Sequence, residues 1–227
     1  VRALPGRESR QPPGPEPVGR DAAAAEQRRR ILEATAELIA EQGYQETTME
    51  QIVRRARVGY KTFYKHYPDR EAAFLALIDA ATAHTVERVE GAYRREEGPW
   101  QDRVGAALGA LFEDVAAHPA AARCVLVEAT AAGDEAAAKH EAALKRLAKL
   151  LRPGRELNPR QERLPQTLEE TLCGGVVWVL GQRLMAGEAA KLRALLPETL
   201  EFLLRPYIGE QEAVQEAGGA ADAISAA

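Results

Sequence analysis

An all-α fold follows from three properties of this sequence. Ala, Leu, Glu and Arg dominate while β-branched residues are sparse, a composition that favours helix over strand. Apolar residues recur at i, i+3 and i+4 rather than in alternation. Gly and Pro mostly punctuate these periodic stretches, as helix stops do. The chain has 227 residues, enough to bury a real core in one or two domains, and its 46% hydrophobic and 28% charged residues are ordinary for a globular protein.

The elements can be justified in order. Residues 1–20, rich in Pro, Gly and Arg, show no apolar periodicity and are expected to form a disordered arm. Asp21 can cap a first helix, about 22–42, in which Ile31, Thr35, Leu38 and Ile39 repeat at helical spacing before Gly43 stops it. A capping box, Thr47 with Glu50 or Thr48 with Gln51, opens a short second helix, about 48–56, with Met49, Ile52, Val53 and Ala56 inward. Arg57, Val58 and Gly59 break it, and a third helix follows, about 60–67. Pro68 ends that helix and Asp69 caps a long fourth one, about 70–94. Beyond Gly98-Pro99 further helices are expected at about 100–117, 120–132, 135–151, 165–186 and 190–205, with residues 209–227 a flexible tail.

The stretch ARVGYKTFYKHYPDRE, residues 56–71, holds four aromatics within eight positions, interleaved with cations. On a helical wheel Phe63 and Tyr67 share one stripe, and Lys61 and Lys65 lie nearly opposite. Tyr60 and Tyr64 form one flank, Thr62 and His66 the other. The apolar stripe anchors the helix, and the cationic stripe with its hydroxyl and imidazole flanks suits a polyanion. The charge distribution agrees: residues 53–70 carry six cations and one anion, whereas 76–227 hold 17 Lys/Arg and 23 Asp/Glu, within a chain of net charge −4. Two short helices joined by a tight turn make a helix-turn-helix (HTH), whose second helix fits the major groove of DNA.

TTMEQIVRRARVGYKTFYKHYPDREAAF resembles the DNA-binding domain of TetR-family transcriptional regulators, whose pattern runs roughly I-A-x-x-A-G-V-S-x-x-T-F/L-Y-x-H-F-x-x-K-E-x-L. Ile52, Ala56, Val58, Thr62, Phe63, Tyr64, His66 and Glu71 match it, and Tyr67 and Arg70 are close replacements. The likeness covers about residues 27–80. Arg57 stands where the family usually has Gly, and Gly59 where Ser usually caps the recognition helix. The resemblance implies a three-helix HTH domain at 21–70 and a larger helical body at 71–208 that dimerises and binds a ligand. It implies that Thr48, Thr62, Tyr64, Lys65, His66 and Arg70 contact phosphate or position helices, that Tyr60 and Lys61 following Gly59 read bases, and that Arg28 touches the flanking backbone.

The expected partners are an operator in double-stranded DNA, a small-molecule effector and a second copy of the chain. Repression is the family default, and a DNA-organising HTH protein without a small-molecule switch is the alternative. Candidate pocket residues are His84, Tyr93, Phe112, Arg123, Glu128 and Trp178. Cys173, Gly174, Gly175 and Gly181 would let helices approach closely at a dimer interface. His118 and His140 lack metal-ligand spacing, so neither metal nor cofactor is expected. The two cysteines, 49 positions apart, read as buried thiols. With no long apolar run, a cytoplasmic protein is expected. An enzyme has little support, since there is no Gly-rich phosphate loop after a strand, no H-E-x-x-H and no G-x-S-x-G.

Overall fold

A computed structural model describes residues 17–225 as ten α-helices with short 3-10 and π segments, and no strand among these residues. Helix α1 (Pro17–Gln42), α2 (Met49–Ala56) and α3 (Tyr60–His66) precede a long α4 (Arg70–Arg95). Then come α5 (Trp100–Ala117) and α6 (Pro119–Arg123), which continues as a π turn, Cys124–Glu128. Helix α7 (Asp134–Ala148), α8 (Leu168–Met185), α9 (Leu196–Ile208) and α10 (Glu210–Ser225) complete the body. Among the described residues no helix is long and apolar enough to cross a membrane.

The boundaries differ from expectation in four places. Helix α1 already begins at Pro17, so the arm expected at 1–20 is helical in its last residues, and the rest of it lies outside the described residues. The helix expected at 120–132 is two pieces, because the ladder widens to i→i+5 bonding, as in Ala129 N–H to Cys124 O at 2.9 Å. The helix expected at 190–205 is a 3-10 stretch, Ala189–Leu195, followed by α9. The expected flexible tail is helix α10, with Ala213 and Ala217 buried. Its buried residues are alanines, so composition alone resembled a solvated segment.

The buried side chains form three clusters. One holds α1–α3 together through Ile31, Leu38, Ile52, Val53, Phe63 and Tyr67. The largest fills the body between α4, α5, α8 and α9, with Phe112, Leu180, Leu204 and Tyr207 at its centre. The third joins these two regions: Ala36 and Ile39 of α1, Tyr44, Phe74 and Ile78 of α4, and Cys124 of the π turn are all buried in it. Burial works to raise the pKa of Glu169, but a bidentate pair with Arg155 (2.6 and 2.9 Å) and the Tyr207 hydroxyl outweigh it and hold the carboxyl below its ordinary range.

Local signals seen in the sequence set the local geometry. The capping box of α2 uses Thr48 and Gln51: Gln51 N–H donates to Thr48 Oγ1 at 3.3 Å, and Thr48 N–H to Gln51 Oε1 at 2.8 Å. Thr47 is instead buried and donates to Gly43 O at 2.8 Å. Asp69 caps α4 by accepting from Ala72 N–H at 2.7 Å. Arg57 adopts φ +53°, ψ +45°, a left-handed conformation that costs an L-residue roughly 1–2 kcal/mol. Two carbonyls of this turn, Ala56 O and Arg57 O (2.6 Å), accept from the Arg30 guanidinium of α1, which holds the turn in place.

Arg70 was expected at phosphate or in a positioning role, and its contacts are internal. Its Nη1 donates to Tyr44 O (3.0 Å), Gln45 O (3.3 Å) and Thr47 O (2.5 Å), and the guanidinium lies 4.4 Å above the Tyr44 ring. The first residue of α4 thereby closes the α1–α2 loop. Arg70→Met should strand these carbonyls and lower unfolding free energy by about 1.5–3 kcal/mol. Urea unfolding followed by circular dichroism checks this, and an unchanged midpoint would mean that the loop closes without Arg70.

Candidate nucleic-acid interface and body cavity

Helix α3 turns one face in and one face out. Phe63 is fully buried and Tyr67 nearly so, their ring centroids 6.0 Å apart. Tyr60 and Tyr64 are 47% and 54% exposed, large aromatics that packing leaves at the surface. Lys61 and Lys65 are exposed beside them. Gly59 takes the extended N-cap conformation and offers no side-chain cap. Thr62 and His66 are half-buried toward α1, where His66 Nε2 lies 3.0 Å from Gln27 Oε1. Burial, with smaller repulsion from Arg28 and Lys65, pushes the His66 pKa down. A neutral imidazole bonded to α1 positions α3 better than it attracts phosphate.

The basic residues separate by their partners. Arg55 binds Glu41 (2.7 Å) and Glu37 (3.1 Å) on α1, and Arg70 closes the loop. Arg54, Arg57, Lys61 and Lys65 remain exposed without an ion pair among the described residues. The run Arg28–Arg30 divides similarly: Arg29 pairs with Glu26 and Glu33, Arg30 holds the α2–α3 turn, and Arg28 is exposed. Thr48 is exposed, with its hydroxyl engaged in the α2 cap. The outcome is an exposed surface of two tyrosines, two lysines and flanking arginines on a rigid three-helix base, a donor-rich face matched to a phosphate backbone and groove edges.

Behind it lies an open-ended cavity of about 600 Å³ lined by α1, α4, α5, α6, the π turn, α7 and α8. Its walls are largely aliphatic, including Leu77, Val89, Leu108, Leu126, Leu147 and Val176. One end is polar, carrying His84, Thr85, Asp114 and His118. His140 also lines it, its pKa lowered chiefly by burial. This combination of apolar walls and a few convergent polar groups is that of a small-molecule site.

Of the six pocket residues expected from sequence, only His84 lines this cavity. Tyr93 and Phe112 are core residues. Arg123 and Glu128 pair at 3.7 Å, and Glu128 Oε2 accepts from Tyr44 N–H at 3.2 Å, which links the π turn to the α1–α2 loop. Trp178 is 66% exposed on the outside of α8. The four residues expected at a dimer interface also divide. Cys173 faces the cavity, its thiol pushed up to about 12 by burial and the Glu169 charge. Gly181 is buried, and a Cβ there would stand 3.5 Å from Val127 Cγ2. Nothing lies within 4 Å of a Cβ built at Gly174, and one at Gly175 would meet the Phe202 ring at 3.4 Å.

Sequence spacing gave no metal-ligand relation between His118 and His140, and the fold brings His118 instead to His84, with Asp114 between them. The i, i+4 relation of Asp114 and His118 was the available signal, and their partner stands thirty positions earlier on another helix.

Comparison with known proteins agrees with this geometry. The family model for bacterial regulatory proteins of the tetR family matches residues 31–77. An uncharacterized HTH-type transcriptional regulator of Bacillus subtilis (strain 168), YvdT, is 28% identical over 71 residues, which is 31% of this chain and 37% of that protein. The chain thus spans just over a third of that relative's length. The structure of the transcriptional regulator FadR from Bacillus subtilis in complex with stearoyl-CoA superposes with a TM-score of 0.67 at 22% identity, covering 78% of this chain and 97% of that one. A gamma-butyrolactone receptor, an ArpA-like protein, gives a TM-score of 0.62 at 15% identity, covering 89% and 99%. Residues 31–77, which include α2 and the exposed α3, thus match the tetR family of bacterial regulatory proteins, and the chain shares the fold of the solved regulators on which it superposes.

Proposed function

We propose that the protein is a dimeric, effector-released repressor acting in the cytoplasm. The N-terminal helices to about residue 70 bind a pseudo-palindromic operator, and the body behind them holds the effector and the dimer contact. The apolar cavity carries this reading. A DNA-organising protein has no use for a 600 Å³ apolar void, which forfeits packing in the core, whereas a ligand-responsive regulator needs one. The FadR neighbour with its stearoyl-CoA and the butyrolactone receptor support an effector with a substantial apolar part. At the DNA end, Lys65, Tyr64, Thr62, Arg28 and Thr48 serve phosphate contact or positioning, and Tyr60 and Lys61 read bases. His66 and Arg70 act indirectly, by fixing α3 and the α1–α2 loop.

Lys61→Ala and Lys65→Ala should differ in kind. Loss of Lys65 should weaken binding to all sequences alike and reduce the salt slope by about one unit per subunit. Loss of Lys61 should relax preference at one position per half-site, worth about 1–3 kcal/mol. Titrations across salt concentrations and single-base operator variants check this, and wild-type behaviour of both variants would overturn the assignment of the face.

For the dimer, the supporting observation is an exposed apolar surface on α8 and α9: Trp178 66%, Phe202 49% and Met185 46% exposed. Gly174, Trp178 and Met185 follow one stripe of α8, and an antiparallel pair of such faces would form a four-helix interface. Trp178→Glu should shift sedimentation from dimer to monomer while the circular dichroism spectrum stays helical. A wild-type chain that sediments as a monomer at micromolar concentration, with no shift on DNA, counts against the dimer.

The switch runs along α4. Its 26 residues span about 39 Å; it begins at the Arg70 loop contact and forms the cavity wall from Leu77 to Val89. Two recognition helices must meet grooves about 34–36 Å apart, or a multiple of that. An effector that favours another spacing therefore lowers affinity, and a tenfold loss requires about 1.4 kcal/mol of differential binding. Spin labels at position 61 of the two subunits should report a changed separation when effector binds, with each HTH intact. An unchanged distance distribution beside a real loss of DNA affinity would exclude the lever.

A further inference from the structure

We infer that His84, Asp114 and His118 form a binding site for a divalent transition-metal ion of the zinc class. Their donor atoms all lie within 4.8 Å of one another. Asp114 Oδ1 stands 3.1 Å from His84 Nε2 and 3.3 Å from His118 Nδ1. Zn–N and Zn–O bonds of 2.0–2.1 Å place tetrahedral ligand atoms about 3.3 Å apart, so both spacings are already those of ligands around one ion. The rings stand edge to face with centroids 5.5 Å apart, so the two imidazoles approach from different directions instead of stacking.

The state of Asp114 is the second observation. Its side chain is only 5% exposed. One carboxylate oxygen, Oδ2, accepts the Thr85 hydroxyl at 2.6 Å. The other, Oδ1, is buried and receives no aligned hydrogen bond, although three side-chain nitrogens surround it. A buried carboxylate oxygen without a hydrogen bond is costly, and an ion coordinated there would satisfy it. Thr85 has the part of an outer-shell residue that orients a ligating carboxylate.

Two nitrogens and one oxygen favour zinc, cobalt or nickel over calcium or magnesium, which take oxygen ligands. The neighbours set conditions. Arg88 Nε, from α4, lies 3.4 Å from Oδ1 and opposes a dication, but this side chain is 45% exposed and also reaches Glu113 at 3.9 Å, so it can swing away. His118 Nδ1 lies 3.2 Å from Asp114 O, a local contact that ligation replaces. Both histidines are more than half exposed, which gives the ion a path from solvent. All three residues line the cavity, so the remaining coordination position opens toward it. An oxygen donor of a bound molecule would complete the shell there. That last step rests on the effector reading above; the ion site itself does not.

The test uses the full chain, freed of metal by chelation, and Co2+ as a visible probe of zinc-type sites. Titration should produce the intense absorption of low-coordinate Co2+, saturating at one ion per chain and displaced by Zn2+. His84→Gln and His118→Gln, both at exposed side chains, should each abolish the band while leaving the helical spectrum unchanged. Thr85→Val should weaken binding about tenfold or more through the freed carboxylate. Arg88→Ala should tighten it. The inference fails if no cobalt band forms, or if the band survives both histidine substitutions. The cluster would then be an ion-paired group at the cavity end. A positive result holds whether or not any effector is found, so failure of the effector reading stays distinguishable from failure of the metal site.

Discussion

The arrangement of the whole molecule depends on how one loop is held. Tyr44 lies between α1 and α2, and three elements converge on it. Arg70 stacks over its ring and collects the loop carbonyls, Phe74 packs against it at 4.6 Å between ring centroids, and Glu128 accepts its backbone N–H. The start of α4, the end of the π turn and the base of the HTH therefore move together or strain this junction. Cys124 adds to it, buried in the junction core with its thiol 3.8 Å from Ala36 O and pushed up to about 12 chiefly by burial. A thiol so disfavoured as thiolate serves packing, not chemistry.

This junction connects the cavity physically to the candidate DNA face. Val125 and Leu126 of the π turn line the cavity, and Val127 packs beside Gly181 of α8. The next residue, Glu128, reaches Tyr44. Under the proposed effector reading, a molecule pressing on the π turn would act on the loop that carries α2 and α3 without needing α4 alone to bend. A widened helical turn suits such adjustment because its ladder is already irregular. The His84–Asp114–His118 group stands across the cavity on α4 and the end of α5, so an ion there would tie the lever to the body.

The sequence made the candidate DNA face legible because its determinants are local. Capping box, turn, aromatic stripe and cationic stripe all lie within some twenty residues, and each is fixed by helical period or backbone conformation. The departure at Arg57 was visible too, and the structure gives its solution: the side chain of Arg30, 27 positions earlier, bonds the turn that glycine would otherwise relax. Local reading left alternatives open where a long-range partner decided the outcome. Arg70 looked like one more cation of a basic patch, and its carbonyl partners 23 to 26 positions upstream convert it into a structural clamp.

By itself the sequence determined the helical class, the HTH and the inward and outward faces of α3, because short-range periodicity and caps suffice for each. It also marked α8 and α9 as unusually apolar. Only the tertiary structure decided which residues line the cavity, which glycines serve internal packing, and that two histidines thirty-four positions apart meet over one buried carboxylate. Those outcomes depend on the angles and offsets at which helices cross. Helical periodicity identifies which face of a helix is apolar, but it carries no information about which residue of a neighbouring helix that face will meet.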